Sequence, residues 1–157
     1  MCTSRNKHVF LRCIAILLCL CLTLPLISSV DAVEATTPRA SYYLDSYNTY
    51  LYCAAWGKIQ VWFNVMGVNY MDDIGVLKVY LYESSDGNTW THVKTFNHDT
   101  TSGMLGSNKI YHSGYVEYAG TIGRYYKAYV CIWAGKDGSG DTRYMWTDIQ
   151  KATLLAG

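Results

Sequence analysis

The clearest pattern in the chain lies between Gly123 and Gly135, where small or apolar positions alternate with aromatic or polar ones. One face carries Tyr126, Ala128, Val130 and Ile132, and the other carries Tyr125, Lys127, Tyr129, Cys131 and Trp133. A period of two, rich in aromatic and β-branched residues and closed by glycine at both ends, is typical of a β-strand. The pattern predicts a central strand with an apolar inner face and an unusually aromatic outer face.

Similar alternation, together with the turn residues between segments, predicts six further strands. They cover residues 42–55, 59–65, 76–83, 91–96, 110–118 and 142–150, with loops at 67–75 and 97–108. The first strand is expected to bend near Asp45 and Ser46. We therefore expect an all-β fold, a two-sheet antiparallel β-sandwich of about seven strands. A closed barrel with Greek-key connections is the alternative.

The segment from Ser84 to Trp90 has the form S-x-D-G-x-x-W and lies between two predicted strands. Asp86-Gly87 favours a hairpin, because glycine accepts the positive φ that the turn requires. The segment resembles turns that are common in secreted bacterial β-sandwich domains, including carbohydrate-binding modules. The resemblance implies that Ser84 and Asp86 hydrogen-bond the turn backbone while Trp90 packs beneath it, which is a structural role.

The central strand carries a second resemblance. Its pattern Gly123-x-x-Tyr126-x-Ala128-x-Val130 resembles the penultimate strand of fibronectin type III and immunoglobulin-like domains, where a tyrosine braces the corner that enters the strand. Taken whole, residues 41–152 resemble small secreted proteins of Gram-positive bacteria that are grouped as a domain of unknown function. The resemblance implies export and a fibronectin type III/immunoglobulin-like β-sandwich, and it implies no activity.

Residues 1–32 are expected to form a secretory signal peptide. A basic start is followed by an apolar run from Cys13 to Ile27 and by small residues around Ala32 that suit cleavage. The run is shorter than the roughly 20 residues of a membrane span, although a retained anchor is the alternative. We expect a secreted, extracellular protein with no membrane insertion after cleavage. Its parts are a polar lead-in at 33–40, one β-sandwich domain at 41–152 and a tail at 153–157.

Charge and cysteine content refine this picture. The 13 basic and 12 acidic side chains nearly balance, so charge gives no basis for binding nucleic acid or an anionic membrane. Four of the six cysteines belong to the predicted leader, which leaves Cys53 and Cys131. In an exported chain such a pair predicts one disulfide. Two free, buried thiols are the alternative, because Cys131 lies opposite the predicted core face.

The remaining residues give no pattern of a catalytic or metal site. His92, His98 and His112 do not pair at ligand spacing, and Asp72 and Asp73 are adjacent in a predicted loop. Glu83 and Glu117 fall on different strands, unlike the paired acids of a glycosidase cleft. We therefore expect a protein that is not an enzyme and that uses no cofactor and no metal.

One surface stands out as a candidate for binding. If the strands pair as in a fibronectin-like sandwich, seven aromatic residues share the outer face of one sheet. They are Tyr80, Tyr82, Tyr125, Tyr129, Trp133, Tyr144 and Trp146. Such rings stack on sugars and dominate protein interfaces. The sequence thus predicts a binding module for a glycan or a cell-surface protein, with self-association into a homodimer as the alternative. A third interpretation is that the fold itself covers these rings or that cross-strand pairing alone explains them.

Overall fold

Within the described residues, the alternation in the sequence corresponds to seven β-strands and one short 3-10 turn. The computed structural model describes residues 41–155; the predicted signal peptide and lead-in lie outside the described residues. The strands are β1 (Leu44–Ala54), β2 (Lys58–Ser84), β3 (Thr91–Asn97), β4 (Leu105–Ala119), β5 (Tyr125–Lys136), β6 (Ser139–Trp146) and β7 (Gln150–Lys151), and the turn is Ala55–Gly57. The predicted bend in the first strand is confirmed by a shift of register between Leu44 and Ser46.

Strand β2, which has 27 residues, is shared by both halves of the sheet. Its first part pairs with β1 and β4, and these three segments form the first half-sheet. Its later part pairs with β3 and β5, and these segments form the second half-sheet together with β6 and β7, which pair with β5. All the pairings are antiparallel and join the seven strands into one curled sheet. The all-β prediction is confirmed, whereas a fibronectin-like two-sheet sandwich is not, because β2 passes unbroken between the halves.

The segment at 67–75, predicted to be a loop, is instead the middle of β2. Its asparagine and aspartates are typical of loops, but Asp73 pairs with β4 on one side and with β5 on the other. Gly75 marks a close approach of two backbones in this segment. Its φ is +143°, and a Cβ added there would lie 2.2 Å from the carbonyl oxygen of Met104. Pairing on both sides therefore overrides the local loop preference.

The inner faces of the two half-sheets form one hydrophobic cluster. The four residues predicted to face inward on the central strand, Tyr126, Ala128, Val130 and Ile132, are all fully buried. In β2 the buried apolar residues include Ile59, Val61, Phe63 and Val65 in the first half-sheet, Val76, Val79 and Leu81 in the second, and Met71 and Ile74 between them. Burying each large apolar side chain contributes about 1.5–3 kcal/mol. Val76 takes the inner position predicted for Leu77, because the register of β2 against β5 shifts between Val76 and Lys78.

Two aspartates connect the neighbouring edges of the curled sheet. Within residues 41–155, no ladder of backbone hydrogen bonds joins β1 to β6. Instead, Asp141 Oδ2 accepts hydrogen bonds from Ser41 Oγ (2.5 Å), Tyr42 N (2.9 Å) and Tyr43 N (3.2 Å). Asp148 Oδ1 accepts one from Leu51 N (3.1 Å) in β1. Carboxylates thus bind N–H groups that a neighbouring strand would otherwise bind.

Tyr126 braces the corner before β5, as its resemblance to fibronectin and immunoglobulin-like strands implied. Its ring is buried, and its Oη accepts a hydrogen bond from Thr121 N (2.8 Å) and donates one to the Glu83 carboxylate. Burial, followed by the hydrogen bond to Glu83, raises the pKa of Tyr126 to about 12. One hydroxyl therefore connects the loop before β5 to the end of β2.

Replacing Asp141 with asparagine is expected to lower the free energy of unfolding by about 1 kcal/mol, because charge-assisted hydrogen bonds are lost. The Ser41 hydroxyl and then the Tyr43 and Tyr42 amides hold the pKa of Asp141 below its usual value. The carboxylate's stabilisation is therefore complete above about pH 4 and is lost as the pH falls through the folded-state pKa. Urea unfolding at several pH values measures this loss. The exposed Asp45→Asn substitution is the control, and an acid limb unchanged in Asp141→Asn would contradict the assignment.

Replacing Tyr126 with phenylalanine is expected to cost about 1–3 kcal/mol, because Thr121 N and the half-buried Glu83 lose their partner. Glu83→Gln keeps an acceptor for the hydroxyl and should cost less. Since the folded-state pKa of Tyr126 is raised from 10.0 to about 12, its contribution is intact below pH 10 and is lost as the pH rises towards 12. Denaturant unfolding across the alkaline range tests this. Equal alkaline loss in the wild type and Tyr126→Phe would count against the prediction.

Candidate functional site

Pairing within the second half-sheet brings together five of the seven predicted site residues on its outer face. Tyr80 of β2 pairs with Tyr129 of β5, which in turn pairs with Trp146 of β6. Tyr82 and Tyr144 flank this row. We call the five residues the aromatic patch. The alternation in β2, β5 and β6 places all five side chains opposite the core, as the sequence predicted.

The rings of the aromatic patch contact one another. The ring centroids of Tyr129 and Trp146 are 4.8 Å apart, and those of Tyr82 and Trp146 are 5.4 Å apart. Tyr129 stacks on Tyr144 at 5.4 Å with an angle of 17° between the planes. Tyr144 is 56% exposed and Trp146 is 48% exposed, while the other three rings are half-buried. The patch thus has a supporting layer of rings and two rings that meet solvent.

A lysine on the same face connects the patch to the S-x-D-G-x-x-W hairpin. The Lys127 ammonium lies 4.6 Å from the ring centroid of Trp146 and 4.3 Å from that of Trp90. A cation over an indole face is attracted by the ring's quadrupole. Lys127 therefore fixes Trp146 from one side and extends the surface to Trp90, which was not among the predicted site residues.

The hairpin adopts the geometry that its resemblance implied. Ser84 Oγ accepts a hydrogen bond from Gly87 N (2.9 Å), and Asp86 Oδ1 accepts bonds from Asn88 N (2.9 Å) and Thr89 N (2.8 Å). These bonds, led by those from the Thr89 and Asn88 amides, hold the pKa of Asp86 well below its usual range. Gly87 has a φ of +77°, as the turn requires. The predicted structural role of Ser84 and Asp86, which is to hydrogen-bond the backbone of the turn, is therefore confirmed.

The other two predicted site residues lie at the two ends of β5. Trp133 packs against the hairpin glycines: a Cβ added at Gly135 or Gly140 would lie 2.5 Å or 2.4 Å from its ring. Tyr125 lies under Lys151, whose ammonium is 5.1 Å from the ring centroid. Trp133 thus packs within the β5–β6 hairpin. Neither Trp133 nor Tyr125 makes a ring contact with the aromatic patch.

The first half-sheet carries a second aromatic row, which the sequence analysis did not single out. Tyr50, Trp62 and Tyr115 pair across β1, β2 and β4, and we call them the aromatic ladder. Trp62 stacks between its neighbours, with centroid distances of 6.2 Å to Tyr50 and 4.6 Å to Tyr115. The sequence pattern did place Trp62 on the outward side of its strand, and this position could have indicated an aromatic row on the first half-sheet. Trp62 has a neighbouring ring on each of its two faces and is half-buried, whereas Tyr50 and Tyr115 are exposed.

The predicted disulfide between Cys53 and Cys131 is not formed: both thiols are free and buried. Cys53 faces the core from β1 and belongs to the hydrophobic cluster. Cys131 lies on the opposite face of β5, where it pairs with Tyr144 of β6. The side-chain hydrogen bond between Tyr144 and Cys131 is the largest cause that raises the pKa of Tyr144. The second half-sheet separates the two sulfurs, whereas a disulfide needs Cβ atoms about 4 Å apart.

The three histidines within residues 41–155 have separate neighbours. His92 Nε2 lies 2.9 Å from Thr95 Oγ1, and its ring meets the edge of Tyr82 beside the aromatic patch. His112 Nε2 lies 2.9 Å from the Gly103 carbonyl. His98 lies 3.3 Å from Asp99. Across residues 41–155, no three or more His, Cys, Asp and Glu side chains lie together in a way that would hold a metal ion.

No family model matches the chain. No curated protein matches it either. Among solved structures, the chain is similar to Spo0M, a sporulation control protein from Bacillus subtilis, with 12% sequence identity and a TM-score of 0.37. The match covers 65% of this chain and spans 47% of the other. Similarity at this level supplies no function.

Between residues 41 and 155, no helix has the length and apolar character to cross a membrane.

The separation of Cys53 and Cys131 predicts that both are recovered as thiols from oxidised, purified protein. Burial, and then the charge of Asp148, raise the pKa of Cys53, so that its thiol reacts slowly in the native state. After unfolding without reductant, alkylation and mass spectrometry should give separately modified peptides containing Cys53 and Cys131. Recovery of one disulfide-linked peptide pair would contradict the structure.

Proposed function

We propose that this protein is a secreted, non-catalytic binding module that holds a glycan on the aromatic patch. The observation that carries the proposal is the pair of exposed rings, Tyr144 and Trp146, on β6. Among the described strands β6 pairs with β5 alone. Exposed Tyr and Trp rings on a rigid strand are the groups on which the C–H face of a sugar ring packs.

The layer beneath these rings supports the proposal because it limits their motion. Tyr129 stacks on Tyr144 and contacts Trp146, and Tyr82 and Lys127 support Trp146 from other directions. Rings that are already ordered lose little conformational entropy when a ligand binds. A rigid aromatic surface therefore favours a repeating ligand such as a polysaccharide.

Polar groups at the rim complement the rings. Lys127 supplies an ammonium beside Trp146, and on the neighbouring strand β3 His92 lies next to Tyr82 and Thr95 pairs with Tyr80. Hydroxyl groups of a sugar bind such donors and acceptors while the ring faces provide apolar contact. A cell-surface protein is the other ligand expected for this face.

A homodimer formed through the aromatic patch is the alternative function. The same two exposed rings favour it, since aromatic residues concentrate at the centres of protein interfaces. Light scattering across a range of protein concentrations separates the two. A dimer that Trp146→Ala dissociates would support the homodimer, and a monomer at every concentration would exclude it.

Retention on insoluble polysaccharides tests the glycan proposal. With chitin, cellulose and peptidoglycan as probes, Tyr144→Ala and Trp146→Ala are each expected to weaken retention about tenfold, because each removes one stacking ring. The matched control is Tyr115→Ala, since Tyr115 of the aromatic ladder is 48% exposed, the same fraction as Trp146. The control should bind like the wild type. Equal losses in Tyr115→Ala and Trp146→Ala, or no retention of the wild type on any of these probes, would overturn the proposal.

A further inference from the structure

One end of the molecule gathers four large apolar side chains that face solvent. Trp56 lies in the turn between β1 and β2, Ile122 lies between β4 and β5, and Leu154 and Leu155 follow β7. Their exposed fractions are 74%, 51%, 51% and 76%, respectively. We call these four residues the apolar tip. Contiguous exposed apolar surface of this kind marks a site of interaction.

Backbone hydrogen bonds hold the three segments of the tip together. The bonds run from Trp56 N to Leu154 O (2.9 Å), from Gly57 N to Thr153 O (3.1 Å), from Gly120 N to Gly57 O (2.9 Å) and from Gly123 N to Ala152 O (2.8 Å). Backbone groups that are already paired keep their partners when they leave water, whereas unpaired groups in an apolar medium are costly. The construction of the tip therefore suits it to an apolar surrounding.

Trp56 has an unusual backbone conformation. Its φ of 65° and ψ of 30° place it in the left-handed region, which residues with a Cβ rarely adopt. Core packing does not explain this conformation, because the side chain is 74% exposed. The hydrogen bonds made by Trp56 N and Gly57 N hold the turn in place. A strained residue that presents its side chain to solvent points to a role outside the fold.

The charged residues within the tip segments are all cations. Segments 54–58, 119–124 and 151–155 contain three charged residues, the cations Lys58, Arg124 and Lys151. Two of them form ion pairs, Lys58 with Glu117 of β4 (3.4 Å) and Arg124 with the half-buried Glu83 of β2 (3.9 Å). Both carboxylates belong to the strands and not to the tip segments. Cations directly behind an apolar group complement the phosphates of lipid headgroups.

We propose that the apolar tip inserts into the surface of a lipid bilayer that carries anionic phospholipids. Trp56 and the two leucines enter the boundary between headgroups and acyl chains, a position that suits the amphipathic indole. Lys58, Arg124 and Lys151 then contact the headgroup phosphates. The tip and the aromatic patch share no residue, so the membrane contact does not depend on the proposed glycan site.

Sedimentation with vesicles of phosphatidylcholine and phosphatidylglycerol tests this inference. The wild type is expected to sediment with these vesicles, and Trp56→Gly is expected to bind at least about tenfold more weakly, because the inserted indole is absent. Glycine adopts a φ of 65° without strain, so Trp56→Gly should unfold at a temperature no lower than the wild type. Weak vesicle binding by a variant of unchanged or increased stability therefore separates a membrane role from a structural one.

Three further variants complete the test. Leu155→Ser and the double variant Lys58→Gln/Lys151→Gln should each weaken binding several-fold. Tyr42→Ser, which alters a residue that is 80% exposed and precedes β1 at its other end, should bind like the wild type. Trp146→Ala should also bind vesicles normally, which keeps this outcome distinct from that of the polysaccharide assay. The proposal is overturned if the wild type does not sediment, if Trp56→Gly sediments equally well, or if Tyr42→Ser loses as much binding.

Discussion

The architecture depends on the continuous pairing of β2. A strand of 27 residues exceeds the usual length of a few residues up to about ten, and it needs partners along its whole length. β1 and β4 supply them at its start, and β3 and β5 supply them at its end. Because one strand belongs to both half-sheets, the sheet has to curl for its two apolar inner faces to meet. The buried corner tyrosine and the aspartates at the sheet edges are consequences of that curl.

The two half-sheets of the curled sheet each have an outer face that carries aromatic rings. The rings are arranged differently on the two faces. In the aromatic ladder, Trp62 is stacked between two tyrosines, and its indole N–H donates to Gln60 Oε1 (3.1 Å). In the aromatic patch, half-buried rings support Tyr144 and Trp146 on a strand with a single partner. The arrangement of the rings explains why the patch is the better candidate for a ligand and the ladder the better stabiliser of its sheet.

The parts of this fold that could be predicted from sequence are those fixed by local alternation. The inner face of β5 is fully buried as its pattern indicated, and the Ser84–Asp86 turn follows directly from side-chain chemistry. The segment at 67–75 was predicted wrongly, because pairing with two distant strands outweighs its loop-forming residues. The Cys53–Cys131 disulfide was predicted because the chain was expected to be exported and to retain two cysteines. Neither fact says on which side of β5 each sulfur lies. The sequence analysis assigned Trp133 to the binding face. In the structure its ring packs against Gly135 and Gly140 of the β5–β6 hairpin, which follow it in the chain.

The carboxylates of Asp141 and Asp148, between β1 and β6, affect the tendency of the protein to aggregate. The free edge of a β-strand can recruit a strand from another molecule, and repeated recruitment produces aggregates and fibrils. Here the N–H groups of Tyr42, Tyr43 and Leu51 are already bound by Asp141 and Asp148. An incoming strand would have to displace charged groups that prefer water to a fibril interior. At this junction, the same two residues thus leave fewer backbone N–H groups with which a strand of another copy could pair.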